Sequence, residues 1–208
     1  MAIVGPRQYQ LRPDGMCVVR SATPDDAPGV LECAIEVFRT SEHTLTQADE
    51  FTMTLDRERE FLAENLREPG LLFLCAFDAR DPWANAPAPG AGAHPMLGLL
   101  NLRRTYPKRK VRHVLELGMS VRSSHRGRGV GTALMAAAMD WAATQPEVEM
   151  VTLGVYAANL AGRALYRRFG FVEYGMLPAG CKHDDGTRWD QVLMVKVVKP
   201  GIGPFTRL

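Results

Sequence analysis

The sequence predicts an α/β domain, a mixed central sheet of about seven strands with helices on both faces. Three observations carry this. Short apolar runs rich in Val, Leu and Phe alternate with longer amphipathic stretches, in the order β α α β β β α β α β β. The 208 residues are 46% apolar and 23% charged, a composition that suits one domain, 1–208, with its own core. A glycine cluster, "RGRGVG", joins a strand directly to an alanine-rich helix.

Each element has its own signal. "MCVVR", from Met16, reads as a short strand. In "TPDDAPGVLECAIEVF", Thr23 is a fitting N-cap, with Pro24 next and two acids in the first turn. "LTQADEFTMTLDREREFLAENL" reads as a turn and a charged helix that faces Phe61, Leu62 and Leu66 inward. "GLLFLCAF" is apolar throughout, as a doubly covered strand should be. "DARDPWANAPAPGAGAHP", 78–95, is rich in Ala, Pro and Gly and reads as a mobile loop within the domain. "MLGLLNLRRT" and "HVLELGMSV" form a hairpin around the basic turn "YPKRKVR". In the helix after the glycines, Leu134, Ala138 and Trp141 recur at helical spacing. "VEMVTLGVY" is a strand, "NLAGRALYRRF" a short helix stopped by Gly170, and "FVEYGML" and "WDQVLMVKVV" are the last two strands.

Charge and composition narrow the function classes. With 25 basic and 23 acidic side chains the net charge is +2, which gives no general affinity for nucleic acid or an anionic membrane. The basic turn from Arg103 to Arg112 reads as a solvated hairpin tip. Cys17, Cys33, Cys75 and Cys181 are widely spaced, without a C-x-x-C pair, and no metal site is expected. The opening "MAIVGPRQYQLRP" lacks a signal-type apolar core, and no apolar run is long enough to span a bilayer. A reduced, cytoplasmic protein with small buried thiols is the expectation, with a homodimer left open.

The glycine stretch makes chemical sense as an anion cradle. Successive backbone N–H groups at a helix start converge on one point, and glycine lets a ligand approach them. Two standard nucleotide motifs fail. Gly131 is followed by Thr132 and Ala133, not by the Lys-Ser/Thr of a P-loop. Gly127, Gly129 and Gly131 recur every second residue, not as G-x-G-x-x-G.

Arg126-x-x-Gly129-x-Gly131 after a strand resembles the pyrophosphate loop of the GNAT family of N-acetyltransferases. "NLAGRALYRRFGFVEYG", one strand later, resembles that family's second signature, and the likeness extends over about 18–198. The resemblance implies a splayed sheet, acetyl-CoA as co-substrate and a primary amine as acceptor. It implies that backbone N–H groups of Arg126, Gly127, Arg128, Gly129, Val130, Gly131 and Thr132 hold the CoA pyrophosphate. It also implies that Met119, Ser120 and Val121 pair with the pantetheine arm, which carries amides, and that Asn159 adds a polar contact besides capping its helix.

Acetyl transfer to an amine must remove a proton, stabilise an oxyanion and protonate the leaving thiolate. By resemblance Tyr166 is the acid that faces the CoA sulfur. Glu116, a carboxylate in an apolar strand, is either the base for the amine or the ion-pair partner of Arg103 or His113. Cys75 and Cys181 lack an adjacent His–acid pair, so direct attack in a ternary complex is favoured over an acyl-cysteine. By resemblance the acceptor site is built from "FRTSEHTLTQADEF" and "PAGCKHDDGTRWDQ"; Glu42, Asp49 and Glu50 in the first of these could receive an ammonium. "ELGMSV" with the ending "DDGTRWDQVLMVKV" resembles a bacterial branch of the family that acetylates small amines, which implies an amino acid, polyamine or amine antibiotic as acceptor. Protein N-termini or lysines, and CoA binding without turnover, are the alternatives.

Overall fold

A computed structural model describes residues 3–85, 94–106 and 108–199. One eight-stranded sheet runs through it: β1 (Arg7–Gln10), β2 (Met16–Ser21), β3 (Leu72–Asp78), β4 (Met96–Arg103), β5 (Val114–Val121), β6 (Met150–Tyr156), β7 (Val172–Lys182) and β8 (Arg188–Val197). The helices are α1 (Ala27–Thr40), α2 (Leu55–Arg67), α3 (Val130–Thr144) and α4 (Leu160–Arg168). Strand order is β1-β2-β3-β4-β5-β6-β8-β7, and only β5 and β6 are parallel neighbours.

The apolar strand β3 shows why two cores form. Leu72, Leu74 and Ala76 point to the α3 face; Phe73, Cys75 and Phe77 point to the α1/α2 face. On the first face Leu134, Met135 and Trp141 of α3 cover the sheet, and on the second Val37 and Leu62 of α1 and α2 do so. Leu62 is fully buried, with Phe61 and Leu66 half-buried beside it, as the helical spacing predicted.

β1 was not expected, because "RQYQ" has no apolar alternation and only Tyr9 is half-buried. Thr23 is an N-cap with Pro24 next to it, as expected, but of a 3₁₀ turn, Pro24–Asp26, and α1 follows from Ala27. In the Ala/Pro-rich stretch 78–95, residues 86–93 lie outside the described residues. Pro82–Ala84 make a 3₁₀ turn in which Trp83 is buried, stacked on His94 with ring centroids 4.3 Å apart.

A buried ion pair anchors that turn. Arg20 and Asp26 are 3% and 1% exposed and meet through two bonds of 2.7 and 2.8 Å. Arg20 also donates to the carbonyls of Trp83 and Ala84, and the Trp83 indole N–H donates to Asp26 at 2.7 Å. The Thr23 N–H reaches the same carboxylate at 2.7 Å. Burial pushes the Asp26 pKa up, but the Arg20 bonds and the other donors outweigh it, so the net shift is downward.

Candidate active site

The parallel pair sets the geometry of the site. β5 and β6 pair only at Val114–Met150, Leu115–Val151 and Glu116–Thr152. Beyond Glu116 the strands separate, while β5 stays paired with β4 through Val121 and β6 with β8 through Tyr156. One edge of β5, at Met119, Ser120 and Val121, therefore faces an open gap. A cavity of about 900 Å³ runs from this gap along the start of α3.

The glycine turn forms its floor. Gly127 and Gly129 have φ of +74° and +103°, the left-handed region that side chains disfavour. Gly131 serves a different purpose: a Cβ there would lie 3.2 Å from Leu165 and 3.6 Å from Met119, so its lack of a side chain lets α3 approach α4 and β5. The Arg126 N–H closes the preceding turn on Ser123 O at 3.4 Å, so this one amide of the predicted cradle is used internally. Among the described residues, the N–H groups of Gly127, Arg128, Gly129, Val130, Gly131 and Thr132 make no hydrogen bond to the protein. Free amides at a helix start, with the helix dipole behind them, suit a diphosphate. Arg126 and Arg168 line the cavity at this turn and Arg12 lines its wall, and none of the three has a carboxylate partner among the described residues. Arg168 donates to the Thr132 hydroxyl at 3.1 Å and so ties α4 to the turn. These features fit a CoA-type ligand.

Gly129→Val is expected to weaken CoA binding roughly tenfold, since a branched side chain resists positive φ and disturbs the first amides of α3. Calorimetric titration with CoA checks this, and an unchanged affinity would assign the glycine to the turn alone.

At the gap, α4 presents Tyr166, which is 8% exposed, packed near Phe171 and on the cavity wall. Burial pushes its pKa to about 12, so its hydroxyl keeps its proton across the neutral range. Its hydroxyl makes no hydrogen bond among the described residues and is available to a group in the cavity. Asn159 caps α4 through its side-chain oxygen, which accepts from Gly162 N at 2.9 Å, and it lines the cavity too. Gly162 makes this cap possible, since a Cβ there would meet the Asn159 amide at 2.9 Å.

The proposed carboxylates lie elsewhere. Glu116 is the last paired residue before the gap but does not line the cavity. It accepts from Arg103 at 3.2 Å and from the Thr105 hydroxyl at 3.4 Å, the ion-pair alternative left open by the sequence. Glu42 and Glu50 are exposed, and Glu50 accepts from Gln47 N at 3.0 Å. Among the described residues that line the cavity, none is acidic.

The two segments predicted for the acceptor do meet. Ser41, His43 and Thr44 line the cavity from the connection after α1. His43 lies against Trp189 and Tyr156, with centroids 5.6 and 6.1 Å apart, and His183 packs on Trp189 at 4.3 Å. The Tyr156 hydroxyl donates to Thr44 O at 3.3 Å and joins β6 to this segment. An ammonium calls for acids, which this segment supplies at Glu42, Asp49 and Glu50, so His43 carries no signal of its own in the sequence. Tyr9, Gln10 and Arg12 reach the cavity wall equally unannounced, because β1 and the turn after it have no readable pattern.

Cys17 and Cys33 are buried with pKa values pushed up to about 11, and burial raises Cys75 well above the usual thiol range. Such thiols are poor nucleophiles at neutral pH. Among the described residues no His, Cys, Asp or Glu cluster could hold a metal ion, and no helix is long and apolar enough to cross a membrane.

Solved structures share this architecture. An acetyltransferase of the GNAT family from Streptococcus pneumoniae superposes with a TM-score of 0.77 at 22% identity, covering 88% of this chain and 99% of that one. The yncA protein from Salmonella typhimurium, solved with its cofactor acetyl-CoA, gives 0.72 at 18%, covering 92% and 99%. Ribosomal-protein-alanine N-acetyltransferase from Brucella melitensis gives 0.67 at 24%, covering 86% and 98%. In sequence, the model of the acetyltransferase (GNAT) family matches residues 42–171, from the connection after α1 to the start of β7. A match over more than half of the chain, taking in β5, α3 and α4 at the cavity, makes this protein a member of the acetyltransferase (GNAT) family.

Proposed function

We propose that the chain transfers an acetyl group from acetyl-CoA to the primary amine of a small molecule, by direct attack within a ternary complex. The observation that carries this is one continuous cavity joining the glycine turn to the buried Tyr166 hydroxyl. Acetyl-CoA supplies an activated thioester. The amides of 127–132 bind its diphosphate, and the open edge of β5 at Met119, Ser120 and Val121 pairs with the pantetheine amides. Tyr166 donates its proton to the departing sulfur. His43 is the imidazole on the wall at the acceptor end and takes the amine proton, directly or through water.

A primary-amine library assayed for CoA thiol release tests the reading. Turnover of a small amine is expected. Inertness towards the library, with acetylation of peptide N-termini or lysines, would replace the small amine by a protein acceptor. Inertness towards both would leave CoA binding without catalysis.

The ion-paired position of Glu116 gives a separate expectation. Glu116→Gln removes a partly exposed pair with Arg103, so kcat should stay within about fivefold of the parent from neutral to alkaline pH. A larger defect that shrinks as pH rises would restore Glu116 as the base.

A further inference from the structure

The geometry points to Arg12 as the residue that reads the 3′-phosphate of CoA. This rests on the reading of the cavity as a CoA site. CoA is linear: thiol, pantetheine arm, diphosphate, then 3′-phosphorylated adenosine. With the sulfur at Tyr166 and the diphosphate on the glycine turn, the adenosine end falls beyond the turn. The wall next to the turn includes Gln10, close to Gly129, and Arg12, bonded to Arg128, together with Tyr9 and with Ala133 and Ala136 of α3. The small alanines leave room for a ribose and base against the helix.

Arg12 is held at its backbone and free at its tip. Its N–H donates to Arg128 O at 2.8 Å, and its carbonyl accepts from Arg128 Nε at 3.2 Å. Leu11 N–H closes the adjoining turn on Gly15 O at 2.9 Å. At the other end of the hairpin, Arg7 meets Asp140 of α3 at 3.1 Å. The β1–β2 hairpin is thereby clamped along α3, and the Arg12 Cα is fixed beside the glycine turn.

The other two arginines on the wall each spend one donor on the protein. Arg126 Nε donates to Val121 O, and Arg168 donates to the Thr132 hydroxyl. The Arg12 guanidinium makes no hydrogen bond or ion pair among the described residues. A phosphate monoester offers close to two negative charges and three acceptor oxygens, which a planar guanidinium matches with two parallel bonds. Arg12 lies outside the residues 42–171 matched by the family model.

Calorimetric titration of the full chain with CoA and with 3′-dephospho-CoA tests the assignment. The parent should bind CoA about ten- to a hundredfold more tightly than 3′-dephospho-CoA, the range expected of a charge-assisted bond. Arg12→Ala should lose most of that preference and bind 3′-dephospho-CoA as the parent does, which also reports that the site is folded. Arg12→Lys should retain part of it. Equal weakening of both ligands by Arg12→Ala, or an undiminished preference, would overturn the assignment. Equal affinity of the parent for the two ligands would overturn it as well and leave the CoA site standing. Failure of the parent to bind either ligand would remove the CoA reading and this inference together.

Discussion

Tyr166→Phe is expected to lower kcat by about 10²–10⁴-fold, the usual contribution of a general acid, with little change in affinity for acetyl-CoA. The substitution keeps the ring against Phe171 and removes only the hydroxyl. Because burial raises this pKa to about 12, the phenol is the protonated donor at every pH up to about two units beyond the ordinary tyrosine value. The defect should therefore persist from neutral pH to pH 10 and close only as the parent itself loses its proton near 12. Single-turnover kinetics with saturating acetyl-CoA separate the chemical step from binding. A variant that turns over at the parental rate would remove Tyr166 from the mechanism.

Asp26→Asn should be the most damaging change to stability, about 3–5 kcal/mol, because it leaves the Arg20 guanidinium buried without a counter-charge. For a chain of this size that is a fall in Tm of roughly 6–20 °C. The pH dependence has a definite sign. The folded pKa of Asp26 lies below its unfolded value, so the carboxylate's contribution is complete above about pH 4 and is lost as pH falls through the folded pKa. The parent should lose this part of its stability in acid, and Asp26→Asn should lack it at all pH values. Replacing both partners, Arg20→Met with Asp26→Leu, should recover some of the loss, since an apolar pair carries no unpaired charge. Urea unfolding from pH 2 to 7 measures all three, and a loss below about 1 kcal/mol for Asp26→Asn would show that the pair is dispensable.

Much of the scaffold was readable, for reasons that differ by element. β3 announces itself by an unbroken apolar run, and it is buried on both faces. α3 shows its buried face at Leu134, Ala138 and Trp141, each almost fully covered. β1 could not be found, because its polar residues pair through the backbone with Met16–Val19 and leave no side-chain pattern. The Arg20–Asp26–Trp83 cluster was equally hidden, because its members are brought together by tertiary contact across 63 positions of chain.

The same contrast runs through the site. The glycine turn is local, and its spacing can be read directly. Tyr166 came from a second local signature. The acceptor end is assembled from connections distant in sequence: His43 meets Trp189 where the Tyr156 ring and hydroxyl join the segment after α1 to the end of β6. An acid was sought there as a mate for an ammonium, but Glu42 and Glu50 face solvent and the wall carries an imidazole.

The brief pairing of β5 with β6 has a mechanical meaning. Among the described residues, three residue pairs form the ladder between the β1–β5 part of the sheet and the β6–β8–β7 part, continued at one end by the Glu149 and Met150 N–H groups, which donate to His113 O. At the other end α3 and α4 meet, with Arg168 donating to the Thr132 hydroxyl. In the proposed complex a pantetheine arm laid along β5 would add rungs where the ladder stops, so the ligand would act as part of the framework. Saturation with acetyl-CoA should then raise the cohesion of the two parts of the sheet.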